Sequence, residues 1–381
     1  MRFLFHSLPL AGHVYPIAAV ANELAGRGHD VAWVGAEAFL RPLLGQRAQV
    51  YPTGLRLYRG ELRDFGMTAT RSRWEGFIVP QTRFTLPAVQ RAVEEYLPDV
   101  MAVDQHAMAG AIAAHRARLR WATLAPTTME ITHPYRALPK VDSWIHGLMA
   151  AMWTSAGLPG TPPHDLRFSP DLVIAFTGER LAGPIDGVVL VGPALSGRQD
   201  RQSTADFPWE WLDPDRRRVL VTVGTLALDM AKDFYGRVVE ATAAPGDQLQ
   251  VILVSPEQAA PDAVPSNMLV RQQVPMLELL PRLHAVVTHG GLNTVCEALA
   301  HGVPLVVAPI KSDQPINAAH VAAANAGIRV HFVRSSAAQL RDAILAVLRE
   351  PSYGLAAQRI RESFREAGGA KAAADHLEQL K

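Results

Sequence analysis

The sequence predicts an α/β protein made of two doubly wound parallel-sheet domains. Three observations carry this reading. A chain of 381 residues exceeds what one hydrophobic core usually fills. Short apolar runs alternate with helix-period segments in two separate series. Between the series, Gly197 to Phe207 is polar and aperiodic, as an interdomain linker is.

The first series opens with a strand over Arg2–Ser7. Ile17, Val20, Ala21 and Leu24 follow at i, i+3, i+4, i+7 spacing, which reads as a helix that Gly26 and Gly28 stop before a strand over Asp30–Val34. Further strands are expected at Val100–Val103, Trp121–Leu124, Leu172–Ala175 and Val188–Val191. Between Tyr51 and Tyr96 no period is visible, and the stretch reads as an irregular excursion rich in aromatics and arginines. The second series has strands at Arg218–Val223 and Gln250–Val254 around a helix at Met230–Ala243. Helices at about Ser336–Arg349, Tyr353–Arg365 and on to Lys381 close the chain.

Composition narrows the function classes. Lys+Arg 37 against Asp+Glu 36 gives a formal net charge of +1, with the arginines scattered, so nucleic acid is not an expected partner. Cys296 is the single cysteine, which removes intrachain disulfides and cysteine-based metal sites and reads as packing. The apolar run after Met1 is too short for a signal-peptide core. Ser143–Pro163 lacks formal charges but is broken by Gly and Pro, so no membrane insertion and a cytoplasmic location are expected.

Thr288–Ala318, THGGLNTVCEALAHGVPLVVAPIKSDQPINA, is the richest segment. A short apolar strand ending at Val287 runs into His289-Gly290-Gly291, and a helix opens at about Asn293. Glycines at such a turn let a ligand approach the backbone, and the first free N–H groups of the helix attract an anion. Asn293 and Thr294 suit an N-cap or first turn. Val303–Pro309 reads as a buried parallel strand, with Asp313-Gln314 just past its carboxyl end, where open α/β sheets hold ligands. A diphosphate cradle next to a carboxylate–amide pair outlines a nucleotide-sugar site. Earlier in the chain, His13 lies in the loop after the first strand and Asp104 ends a strand of the same sheet. A histidine oriented by a carboxylate is a general-base arrangement.

This segment resembles the donor-binding signature of inverting GT-B glycosyltransferases, among them plant UDP-glycosyltransferases and bacterial enzymes that glycosylate polyketides, macrolides and other natural products. Gly12-His13, Asp104 and Gly224-Thr225 extend the resemblance over most of the chain. It implies two Rossmann-like domains facing across a cleft: an acceptor-binding domain over 1–200, a linker over 201–216, and a nucleotide-sugar-binding domain over 217–360. It further implies a C-terminal helix within 361–381 that crosses back to the first domain.

The activity implied is inverting transfer of a hexose or deoxyhexose from a dTDP- or UDP-sugar to a hydroxyl of a natural-product aglycone. By the same resemblance His13 is the base and Asp104 its partner. Gly224, Thr225, His289, Gly290, Gly291, Asn293 and Thr294 bind the diphosphate, and Glu297 the ribose hydroxyls. Gln273 and Val274 hold the nucleobase, and Asp313 and Gln314 the sugar. Plant members place a tryptophan over the base; Asn267–Pro275 has none, which leaves UDP and dTDP both open. Trp74, Phe77 and Phe84, with Met149, Met152 and Trp153, are candidates for an apolar acceptor wall or for core.

No cofactor or metal is expected. Asp213-Pro214-Asp215 matches a metal-binding D-x-D, but its proline and polar surroundings favour a turn. A nucleotide-sugar epimerase or hydrolase of the same fold, or a catalytically silent sugar-nucleotide-binding partner, are the alternatives, the second opposed by intact His13 and Asp104. An NAD dehydrogenase is disfavoured because Pro9, Leu10, Ala11 and Gly12 occupy the turn where G-x-G-x-x-G belongs. Whether the protein forms a homodimer or needs an activator protein is not legible.

Overall fold

The computed structural model describes residues 1–55, 66–195, 207–224, 228–243 and 248–380. The chain forms two compact units, one of Met1–Glu179, Pro184–Arg198 and Ala367–Lys381, the other of Arg180–Gly183 and Gln199–Glu366. Each matches the α/β class expected.

In the first unit the strands are β1 (Arg2–His6), β2 (Asp30–Gly35), β3 (Gln49–Pro52), β4 (Val100–Asp104), β5 (Arg120–Ala125), β6 (Leu172–Ala175) and β7 (Val189–Leu190). They form one parallel sheet in the order β3-β2-β1-β4-β5-β6-β7. From β1 the chain winds outward through β2 and β3, whereas from β4 it winds the other way. The β1/β4 pair, in register from Phe3↔Val100 to His6↔Val103, is therefore the topological switch point. Phe3, Phe5, Val14, Ile17 and Trp33 are buried in a core that also takes Ala370, Ala373, Ala374 and Leu377 from the helix Gly369–Glu378. Arg27 ties that helix down through Asp375 (2.7 Å) and Glu378 (2.8 Å).

One expectation fails here. The stretch read as irregular is helical from Gly66 to Tyr96: a helix Gly66–Arg73, a π-helical turn Trp74–Ile78 and a helix Val79–Tyr96. Its buried face includes Gln81, Thr82 and Thr85 beside Leu86, Val89 and Val93, so a helical period of burial exists without a helical period of hydrophobicity. Pro87 inside the helix obscures it further.

The second unit contains β8 (Arg217–Thr222), β9 (Leu249–Val254), β10 (Met268–Arg271), β11 (Ala285–Thr288), β12 (Leu305–Val307) and β13 (Gly327–Arg329), parallel in the order β10-β9-β8-β11-β12-β13. Its switch point is β8/β11, paired from Val219↔Ala285 to Thr222↔Thr288. β10 and β13, too short to show a period, were not anticipated. Of the segment expected as linker, Phe207, Trp209, Trp211 and Leu212 pack on this unit's core. Ser336 caps the helix Ala337–Arg349 with a reciprocal bond pair to Gln339, which stabilises its start by roughly 1 kcal/mol.

Candidate active site

In the first unit the switch point brings together residues far apart in sequence. The loop after β1 leads into the helix Ala11–Gly26, whose first turn carries His13, while Asp104 is the last residue of β4. His13 Nδ1 lies 2.7 Å from Asp104 Oδ2, with both side chains buried. Ser7 Oγ (3.1 Å) and the Leu8 N–H (3.3 Å) also donate to Oδ2, and the His106 N–H donates to Oδ1 (3.0 Å).

Burial alone would raise the Asp104 carboxyl. The charge and hydrogen bond of His13, with His106 behind them, instead hold it well below the usual carboxylate range. An ionised carboxylate only accepts, so His13 must donate from Nδ1, and in the neutral ring Nε2 keeps its lone pair.

Behind this pair lies a network the sequence did not disclose. The fully buried His106 ring sits with its centroid 6.0 Å from that of His13, and its Nε2 is 3.3 Å from Glu130 Oε1. Arg167 Nη1 donates to Glu130 Oε2 (2.6 Å), and Arg167 Nη2 to Asp165 Oδ2 (2.6 Å). Arg73 Nη2 rests against His106, 3.2 Å from Nδ1 and 3.3 Å from Nε2. Burial and the Arg73 charge push the His106 imidazole down to about 4, over the opposing pull of Glu130, so it is neutral at pH 7. Burial would raise Glu130, yet His106, Arg167 and Arg73 hold it down to about 2. His13, Asp104 and His106 are the one group of potential metal ligands gathered among the described residues.

The second unit answers with glycines and neutral groups. Gly224 follows β8 with φ 70°, and Gly290 follows β11 with φ 91°. A Cβ on Gly224 would stand 2.8 Å from His289 Cε1, one on Gly291 3.0 Å from His289 Nε2, and one on Gly290 2.8 Å from Val307 Cγ1. The His289 ring is thus packed between two glycines at the switch point. Burial pushes its imidazole down to about 4, against the bond the ring donates to the Thr222 backbone carbonyl, so His289 is neutral at pH 7 and adds no full positive charge.

Gly291 is the N-cap of the helix Leu292–Ala300, with no side-chain cap bond, so Asn293 and Thr294 occupy its first turn rather than the cap. Their half-exposed side chains stand at the N-terminal end of this helix, where the backbone N–H groups carry partial positive charge. Glu297, one turn on, is 4% exposed, not the solvated helix charge it could have been.

Asp313 caps the helix Gln314–Ala323. The Asn317 amide joins the parts, donating to Gly290 O (2.8 Å) and Asp313 Oδ2 (3.0 Å). Gln314 Oε1 accepts from the Ile310 and Lys311 N–H groups (both 2.9 Å), so only its NH₂ remains for a sugar. Exposed Gln273 and half-buried Val274 lie in the loop after β10, and Thr225 lies outside the described residues.

The acceptor candidates divide. Trp74, Met149, Met152 and Trp153 are at most 2% exposed; closed packing gives a ligand no surface there, and they are core. Phe77 is half-buried and Phe84 exposed. Asp213-Pro214-Asp215 forms a turn at the amino end of β8, with Asp213 accepting from the Asp215 N–H (2.9 Å) and pairing with Arg216 (3.2 Å). No helix among the described residues is long and apolar enough to cross a membrane.

Comparison with known proteins finds glycosyltransferases. Residues 205–362 match the UDP-glucoronosyl and UDP-glucosyl transferase family. The chain is 26% identical to an NDP-glycosyltransferase of Bacillus licheniformis (98% of this chain, 96% of the relative). It is 28% identical to the demethyllactenocin mycarosyltransferase of Streptomyces fradiae (99% and 86%). The crystal structure of the kitacinnamycin glycotransferase superimposes with a TM-score of 0.83 at 25% identity, covering 100% of this chain and 98% of that one.

Over residues 205–362 the chain resembles the UDP-glucoronosyl and UDP-glucosyl transferases, and over nearly its whole length it resembles bacterial glycosyltransferases. Its two parallel-sheet units match the Rossmann-like domains of the GT-B fold.

Proposed function

We propose that the enzyme transfers a hexose or deoxyhexose from a dTDP- or UDP-sugar to a hydroxyl of a natural-product aglycone, with inversion and without a metal. The observation that carries this reading is the buried His13–Asp104 pair at 2.7 Å, at the carboxyl edge of the first sheet. Neutral His13 takes the acceptor proton on Nε2 as the hydroxyl oxygen attacks the anomeric carbon. Asp104 fixes the ring and stabilises the imidazolium that forms. The negative charge that leaves with the nucleoside diphosphate meets the N–H groups behind Gly290 and Gly291 and the side chains of Asn293 and Thr294, donors fixed before the reaction, with the neutral His289 ring packed behind them. Thr225 adds a hydroxyl, Glu297 takes the ribose, Gln273 and Val274 the base, and Asp313 and Gln314 the sugar.

The test is His13→Ala, assayed for transfer and for nucleotide binding. Transfer is expected to fall by about 10²–10⁴, while the affinity for dTDP or UDP, read from thermal stabilisation in EDTA, stays within about twofold. Equal loss of both would remove His13 from the role of base. Stabilisation that vanishes in EDTA would remove the metal-free reading of the diphosphate site.

A further inference from the structure

We propose that Arg73 selects the acceptor, favouring an aglycone that carries an acidic group, such as a carboxylate, near the hydroxyl that is glycosylated. The inference rests on the reading of His13 as the base. Arg73 Nη2 is almost equidistant from the two ring nitrogens of His106, at 3.2 and 3.3 Å. In the ring plane that position would collide with Cε1, so the guanidinium lies over the face of the ring. His106 also neighbours His13, ring centroids 6.0 Å apart. Arg73 is thereby held close to the base by a rigid, fully buried spacer.

Its charge has no direct partner there. The two oxygens of Glu130 are engaged by His106 and Arg167, and Arg167 is itself matched by Asp165. Among the described residues no carboxylate forms an ion pair with Arg73. A guanidinium presents five N–H donors in a planar fork, and among the described residues the side-chain contacts of Arg73 are those of Nη2 with His106. A half-buried cation without an ion pair is costly to maintain, and this fork matches a carboxylate in bidentate fashion. Asp104 and Glu130 are anions in the same neighbourhood, so the preference should be about tenfold rather than absolute.

The experiment uses an isosteric fluorescent pair, 6-hydroxy-2-naphthoate and 6-hydroxy-2-naphthamide, titrated into the full chain at pH 7. The wild type should bind the naphthoate about tenfold more tightly. Arg73→Gln should erase that difference by weakening the naphthoate alone, and Arg73→Lys should restore part of it. Unchanged melting temperature and UDP or dTDP affinity in both variants exclude misfolding. Equal affinity of the wild type for the two probes, binding of neither, or equal weakening of both by Arg73→Gln would overturn the proposal. Because binding is read without turnover, tight naphthoate binding with no transfer from either sugar nucleotide would instead count against the glycosyl-transfer mechanism.

Discussion

The two units share one topology and use it for opposite electrostatics. At the β1/β4 switch point ionised carboxylates are buried among histidines and arginines, with Asp104, Glu130 and Arg167 all inside. At β8/β11 the equivalent place holds glycines, helix N–H groups and a neutral histidine. In the proposed mechanism the first arrangement holds and moves a proton, and the second leaves room and partial positive charge for an anion that arrives with the substrate. Topology gives the place, and the residues at the strand ends decide the chemistry.

The sharpest test of this contrast is Asp104→Asn. The amide keeps the shape but can present N–H to His13 Nδ1, turning the neutral ring over to the wrong tautomer. Turnover should drop by about 10²–10⁴, with UDP or dTDP affinity in the second unit unchanged. A parallel loss of nucleotide binding, measured by calorimetry, would show that the two switch points do not work independently.

Acid should separate the units next. His106 and His289 have folded values near 4, below the 6.5 of an exposed histidine. Between those values the unfolded chain binds more protons, so stability is complete above about 6.5 and falls as pH approaches 4, by at most about 3 kcal/mol per histidine. Asp104 and Glu130 are also depressed, so their contribution is present above the ordinary carboxylate range and lost only below it. Melting curves at pH 7, 5 and 3.5 should show a first loss shared by both units and a second that Asp104→Asn reduces. A His289→Gln variant should lose less than the wild type between pH 7 and 5; an identical loss would mean that His289 is not held neutral by its surroundings.

The second switch point is probed by Gly290→Ala. At φ 91°, with a Cβ 2.8 Å from Val307 Cγ1, alanine is strained both in backbone and in contact. The strain amounts to about 1–3 kcal/mol, so nucleotide affinity should fall by about 10–100-fold. Turnover at saturating donor should change far less, the reverse of Asp104→Asn. A fall in turnover with unchanged affinity would sink the reading of this turn as an anion cradle.

What could be read from the sequence follows the same division. The second site is local: strand, glycines, helix and Asp313-Gln314 lie within one 31-residue segment, so their spacing encodes the site. Asp104 could be found because it ends a recognisable strand, and His13 because it opens the helix that follows another. Arg73, His106, Glu130 and Arg167 were missed because they meet only through tertiary packing and have no spacing in common. The aromatics misled for a related reason. Composition cannot tell a core Trp74 from a binding surface when the helix carrying it buries glutamine and threonine on the same face.

Ser7 offers the smallest and most discriminating effect. Its hydroxyl donates to Asp104 Oδ2, the same oxygen that holds His13, while Oδ1 keeps the His106 N–H. Ser7→Ala removes one of several donors and leaves the tautomer of His13 intact, so the loss should be near 1 kcal/mol, or about fivefold in turnover. Nucleotide affinity should be unaltered, and Ser7→Thr, which keeps the hydroxyl, should restore turnover. A fivefold loss that Ser7→Thr does not restore would mean that Ser7 only shapes the loop, and that the electrostatics of the first switch point reside in the histidine–carboxylate pair alone.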